Sequence, residues 1–214
     1  RDAYDALEAA QVISQLNAAV PVCETAPSAI LDRLIALAET LPTQTYRSEG
    51  QVELQQFSTP MPLAHLVGLA ARLTRFDTVL EPSAGTGMIA ASDANVGCRL
   101  YLNELDPLRA GLLSRLFPGT AVTSVDAAAI ADHLAVRPTV VLVNPPYSKS
   151  AGIGDDALAG ARHLRSALLA LAEGGRLVAV MPSWFSPNGS GASGYAAVAR
   201  LAPPTADILC RGGV

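Results

Sequence analysis

Apolar positions recur along this chain with two different periods, and the change of period divides it. Within residues 1–45 the period is helical. Tyr4, Leu7, Val12 and Leu16 mark one amphipathic stretch, and Pro27-Ser28 opens a second with Ile30, Leu34, Leu37 and Ala38 on one face. Leu41-Pro42-Thr43 closes it, and the polar residues 45–56 read as loop. From Phe57 onward, short unbroken apolar runs alternate with helical ones. A helix starting at Pro60 or Pro62 is expected to turn Leu66, Leu69, Ala70 and Leu73 inward. Strands are predicted at 78–80, 99–103, 121–125, 139–143 and 176–181, with a strand-like run at 206–210. Between them, Asp106-Pro107 starts a helix carrying Leu108, Leu112, Leu113 and Leu116. A long helix spans about 155–172 until Gly174-Gly175 stops it. Residues 187–194 read as a loop and 196–201 as a helix.

Strands that are apolar throughout, alternating with helices, predict a mostly parallel sheet covered on both faces, an α/β fold. We divide the chain into a helical extension, 1–45, and an α/β domain, 46–214. Ligands of such sheets bind beyond the carboxyl ends of the strands. The polar residues gather at those places: Glu81 to Gly87, Asn103 to Asp106, Asp126, Asn144 to Tyr147, and Pro182-Ser183-Trp184.

The run Glu81-Pro82-Ser83-Ala84-Gly85-Thr86-Gly87 follows the first strand. Its two glycines let a backbone turn approach a ligand closely. The Glu81 carboxylate beside it suits the cationic amino-acid end of S-adenosylmethionine (SAM) and not a pyrophosphate. The third glycine of a dinucleotide fingerprint is absent, which argues against a nicotinamide dehydrogenase. Glu104 lies about 20 residues after Gly85, the spacing of an acidic residue that accepts ribose hydroxyls. Leu105 is placed to cover an adenine ring. Asp106 reads as the N-cap of the next helix with Pro107 at its first position. Asp126 is read both as an acceptor for the adenine amino group and as a helix cap.

Asn144-Pro145-Pro146-Tyr147 is the sharpest motif. An amino group conjugated to a ring or carbonyl is a poor nucleophile because its lone pair is delocalised. The Asn144 side-chain oxygen and the Pro145 carbonyl can accept its two hydrogens and so favour a pyramidal nitrogen. Pro146 stiffens the turn, and Tyr147 offers a flat face for stacking. Ahead of the first strand, Phe57-Ser58-Thr59-Pro60 is positioned to close over the methionine end of SAM.

Composition narrows the picture further. Half of the 214 residues are apolar, 16% are charged and the formal net charge is −4. That is a compact domain without the basic footprint of a protein that grips duplex DNA alone. Cys23, Cys98 and Cys210 are scattered, as are His65, His133 and His163. We therefore expect no metal site and no disulfide framework, which fits a reducing cytoplasm. No apolar run is long enough for a membrane span. The chain begins at Arg1 without Met and stops after a strand-like run, and we expect it to be a piece of a longer protein.

Phe57-Ser58-Thr59-Pro60, Glu81 to Gly87 and Asn144 to Tyr147, in that order, resemble the class I SAM-dependent adenine-N6 DNA methyltransferases of Asn-Pro-Pro-Tyr type. A closer resemblance runs from Leu54 through Gly87 to Arg109-Ala110-Gly111-Leu112-Leu113-Ser114-Arg115-Leu116-Phe117-Pro118-Gly119. It is to the methylase-like N-terminal part of bacterial strawberry-notch-like methylase/helicase proteins. These likenesses imply a Rossmann-like methyltransferase domain that binds SAM and methylates adenine in DNA, beside a helicase region of the same longer chain. They imply catalytic roles for Asn144, Pro145, Pro146 and Tyr147. They imply cofactor contacts from Phe57, Thr59, Pro60, Glu81, Pro82, Ser83, Ala84, Gly85, Gly87, Glu104, Leu105, Asp126 and Asn144. Two other readings stay open: a protein glutamine N-methyltransferase, and a non-catalytic module of a helicase that binds SAM or nucleic acid.

Overall fold

The computed structural model describes residues 2–17, 26–41, 58–147, 149–150 and 154–206. Phe57, the polar loop before it and the strand-like run beyond Ala206 lie outside the described residues.

Two helices, α1 (Asp2–Asn17) and α2 (Pro27–Thr40), precede α3 (Met61–Ala71). The alternating part follows as β1 (Thr78–Glu81), α4 (Met88–Asp93), β2 (Arg99–Asn103), α5 (Pro107–Leu116), β3 (Ala121–Thr123) and β4 (Val140–Val143). Next come two short strands, β5 (Lys149–Ser150) and β6 (Gly154–Asp155), then α6 (Ala159–Ala170), β7 (Arg176–Ala179) and α7 (Ala192–Ala199). The main sheet has the order β3-β2-β1-β4-β7, parallel throughout, while β5 and β6 pair with each other as an antiparallel hairpin.

The pleat sorts the strand residues between two cores. Val79, Val140 and Leu142 face one side with Val12, Met61, Ala64, Val67, Ile89 and Leu113. Leu80 and Val141 face the other with Ile130, Ala167 and Ala170. Successive residues of a strand point to opposite faces, so only a run apolar at every position serves both. β4 is buried at all four positions.

Several elements differ from expectation, each for a local reason. β3 ends at Thr123 and not at 125 because the Asn103 side chain takes both backbone groups of Val125, at 3.0 and 2.9 Å. The long helix is shorter than 155–172. Asp155 pairs in the hairpin, the Asp156 carboxylate accepts the Leu158 amide in a turn, and past the far end the Ala172 amide turns to Pro138. α7 starts at Ala192, inside the stretch read as loop. α3 buries Met61, Ala64, Val67 and Ala71, leaving Leu69 43% exposed, because small alanines let it pack closely. In the first turn of α5 the pattern inverts, with Leu108 67% exposed and Arg109 buried, whereas Leu113 is buried as expected.

The amino-terminal edge of the sheet is tied by Asp77. Its Oδ2 accepts the Thr74 amide and hydroxyl and the Arg176 Nη2 at 3.0 Å, while Oδ1 accepts the Thr139 hydroxyl at 2.8 Å. Burial works to raise its pKa, but the bonds from Thr139 and Thr74 and the Arg176 charge outweigh it, and the carboxyl stays below its usual value. Asp77→Asn is expected to cost about 2 kcal/mol of stability, the loss of charge-assisted bonds. Urea denaturation checks this, and a loss below about 0.5 kcal/mol, the range of an ordinary surface change, would show that the clamp adds nothing.

Candidate functional site

The strand order reverses direction between β1 and β4. In an open parallel sheet the chains leaving two such strands diverge, and a crevice opens between them. Register sets the two exits side by side, with Val79 opposite Val140 and Leu80 opposite Val141. The crevice is a small cleft, open to solvent, lined by Ser58, Thr59, Ser83, Ala84, Gly85, Thr86, Met88 and Asn144. Of the residues expected at a cofactor site, Thr59, Ser83, Ala84, Gly85 and Asn144 are thus brought together.

The remaining expected residues do not line the cleft. Glu81 is only 2% exposed, and its Oε2 accepts the Ala90 amide at 3.1 Å, so it braces α4 from beneath the loop. The Pro82 side chain is buried and its carbonyl accepts Asn103 Nδ2 at 2.9 Å. Pro60 is exposed at the start of α3. Gly85 and Gly87 both have positive φ, +57° and +89°. Their surroundings differ. A Cβ on Gly85 would come no nearer than 3.6 Å to Arg109 Nη1, whereas one on Gly87 would sit 2.4 Å from the Phe117 ring and 2.8 Å from Leu113. Gly87 is therefore required by the core under the loop, not by an approach to ligand.

Glu104 lies directly behind Gly85. Its Oε2 accepts the Gly85 amide and its Oε1 the Asp106 amide, both at 2.8 Å. Burial pushes its pKa up, against the Asp106 amide, the Arg109 charge and the Gly85 amide. A carboxylate has about four acceptor positions, so two remain beyond these amides. Leu105 is 37% exposed beside it. Asp106 caps α5, accepting the amides of Leu108 and Arg109. Asp126 caps the 3-10 segment Ala127–Asp132 through the Ala128 amide and acts electrostatically on His163.

The Asn-Pro-Pro-Tyr run leaves β4 at the other wall. Asn144 Nδ2 donates to Thr59 Oγ1 at 3.0 Å, and its Oδ1 accepts the Tyr147 hydroxyl at 2.7 Å. The amide is held at both ends, and the second lone pair of Oδ1 is left for another donor. Burial raises the Tyr147 pKa to about 12, which keeps the phenol a donor at any physiological pH. Pro145 is buried and Pro146 half-buried. The first turn of α6 presses on this run through Gly160, where a Cβ would lie 3.0 Å from Met181 Cε and 3.7 Å from the Pro146 carbonyl. Trp184, weighed as a cleft or a core residue, stacks edge-on with Phe185, and Gly191 closes against its indole ring.

Several contributors were given no role of their own by the motifs. Ser58 lines the cleft, and its buried hydroxyl finds no partner among the described residues. Asn103 is fully buried with all its hydrogen-bonding groups engaged. An amide ending an otherwise apolar strand was the available signal for it. Arg109 and Gly160 left no comparable trace. Among the described residues, no three His, Cys, Asp or Glu side chains gather as a metal site, and no helix is long and apolar enough to cross a membrane.

No protein-family model and no curated protein matches the sequence. Solved structures do match. PH1948 from Pyrococcus horikoshii, assigned as an RNA methyltransferase, superposes with a TM-score of 0.52 at 20% identity, over 72% of this chain and 76% of that one. The chain has a methyltransferase fold. TrmN from Thermus thermophilus matches at a TM-score of 0.49 and 21% identity, over 75% of this chain and 47% of TrmN. In the methyltransferase fold of this chain, the cleft sits where the strand order reverses and the Asn144 amide forms part of its wall.

Beside the site, His163 on α6 is buried, and burial lowers its pKa to about 4 from 6.5, with Asp126 opposing and Arg162 adding to the effect. Above pH about 6.5 the imidazole is neutral folded or unfolded. As pH falls below that, the unfolded chain binds a proton that the folded chain refuses until about pH 4, so stability is lost across this window. At pH 5 the loss from this group is about 2 kcal/mol. Denaturation at pH 7 and pH 5 should show a smaller drop in His163→Gln than in the wild type; equal drops would remove His163 from the account.

Proposed function

We propose that the chain is a SAM-dependent N-methyltransferase domain acting on the exocyclic amino group of adenine in DNA, within a longer methylase/helicase protein. One observation carries the reading. The Asn144 amide is fixed by Thr59 and Tyr147 at the wall of the glycine-loop cleft, with one lone pair of Oδ1 uncommitted.

The chemistry of the cleft's lining suits the polar end of the cofactor. The orphaned Ser58 hydroxyl and the backbone of Ser83 to Thr86 offer polar groups for an amino-acid end. In this reading Glu104 offers its remaining acceptor positions to the ribose hydroxyls, the partly exposed Leu105 side chain covers the adenine ring, and Asp126 accepts from the adenine amino group. Glu81 supports the loop from below in this arrangement. When bound, SAM supplies a methyl group made electrophilic by a positively charged sulfur.

The residues of the chain do the positioning. Asn144 Oδ1 and the Pro145 carbonyl accept the two hydrogens of the target amino group, which draws its lone pair out of conjugation. Thr59 and Tyr147 hold the acceptor still, so little reorganisation accompanies the reaction. Tyr147 presents its ring to the extruded base. The net charge of −4 leaves the grip on the phosphate backbone to the helicase region.

The test is methyl transfer from labelled SAM to DNA, RNA and protein fractions. Label in the adenine amino group is expected, and Asn144→Ala should lower kcat on the order of 10²-fold, the cost of losing one preorganised partner. Label confined to protein would replace adenine with a glutamine amide as substrate. Binding of SAM without turnover, unchanged in Asn144→Ala, would leave only a non-catalytic module.

A further inference from the structure

The inversion in α5 needs an explanation that packing does not give. A helix that exposes Leu108 and buries Arg109 works against hydrophobic sorting, and a buried guanidinium is costly unless fully engaged. Arg109 is 2% exposed and is met by two carboxylates of α1. Its Nε donates to Asp5 Oδ1 at 3.1 Å, and its Nη2 lies 3.0 Å from Glu8 Oε2. Glu8 is itself 2% exposed.

A pair serving only to join α1 to α5 would end there, but this one continues into the cofactor loop. Glu8 Oε2 also accepts the Thr86 hydroxyl at 3.4 Å, and Thr86 lines the cleft. Arg109 Nη1 is the atom nearest the open side of Gly85. The Arg109 charge also acts on Glu104, whose carboxylate holds the Gly85 amide. The charged groups facing Glu104 are Arg109 and Asp106, and those facing Arg109 are Asp5 and Glu8.

We infer that Arg109, gripped by Asp5 and Glu8, is a positioning residue that holds Gly85, Thr86 and Glu104 in the form that accepts SAM, which makes α1 part of the cofactor site. The inference rests on the SAM reading given above. Residues 2–17 then set cofactor affinity although none of them lines the cleft.

The experiment uses the 214-residue chain with the paired substitution Glu8→Leu and Arg109→Met. Replacing the buried Arg109–Glu8 pair by apolar side chains of similar size commonly preserves stability, and Asp5, the third member, is 15% exposed and keeps contact with water. Arg109→Lys, which keeps the charge and loses the fork, is the second variant should the first not fold. Amide exchange at Gly85 is read without cofactor, and SAM binding is read by calorimetry from pH 5 to 8. The paired variant is expected to exchange Gly85 at least about tenfold faster and to bind SAM at least about tenfold more weakly. Its acid limit of binding should move to higher pH, because Glu104 has lost the neighbouring cation. Arg109→Lys should show the first two effects without the third. Wild-type exchange at Gly85 together with wild-type SAM affinity in a folded variant would overturn the inference. If the wild type itself fails to bind SAM, the cofactor reading falls, and the exchange at Gly85 alone decides whether α1 holds the loop.

Discussion

The ends of three strands hang on one buried asparagine. Asn103 closes β2 with no solvent exposure, and its side chain is saturated. Nδ2 donates to the carbonyls of Pro82 and Val125, and Oδ1 accepts the Val125 amide and the Thr123 hydroxyl. Two donors and two lone pairs are all that an amide has. The loops after β1 and β3 are thereby fixed to the strand between them. Glu104, the next residue, repeats the device toward Gly85 and Asp106. A loop that must leave the sheet and still keep its shape needs such internal partners, because beyond the strand no ladder satisfies its backbone.

The site is consequently supported from two sides by different physics. One wall is the loop after β1, held from below by carboxylates. Glu81 fixes α4, Glu104 fixes Gly85, and Glu8 reaches Thr86. The other wall is the Asn-Pro-Pro-Tyr run, stiffened by its prolines and pressed by α6 at Gly160. The first wall depends on carboxyl groups kept in a dry place, and the second on covalent stiffness and close packing. Asn144 ties the second wall to Thr59, just ahead of α3.

Much of this was legible in the residues themselves. The apolar runs at Val79-Leu80 and 140–143 announced strands buried on both faces, and the parallel sheet has them at its centre. Asp106-Pro107 announced a capped helix start, and the carboxylate does cap it. Asn144 was marked by its prolines. What stayed hidden was of another kind. Arg109 carries no signal of its own on a helix of leucines, and its partners Asp5 and Glu8 lie on a helix that periodicity alone sets apart. Gly87 reads as a ligand contact, and only the position of Phe117 reveals otherwise. Periodicity and caps are local properties, whereas these features are created by residues distant in sequence that meet only in the fold. The length of α6 was overestimated for the same reason, since its entrance is shaped by pairing between β5 and β6.

The distance along the chain between Glu8 and Arg109, 101 residues, also bears on how the molecule comes into being. Contacts so far apart repay their loop-closure entropy only once the intervening strands and helices have formed. During synthesis the first helix emerges long before its guanidinium partner and waits with two carboxylates and an apolar stripe uncovered. The glycine loop, though it follows the earliest strand, receives its final brace only when α5 docks. Maturation of the cleft is in this sense a late event of folding, and its completion reports that both halves of the chain have met.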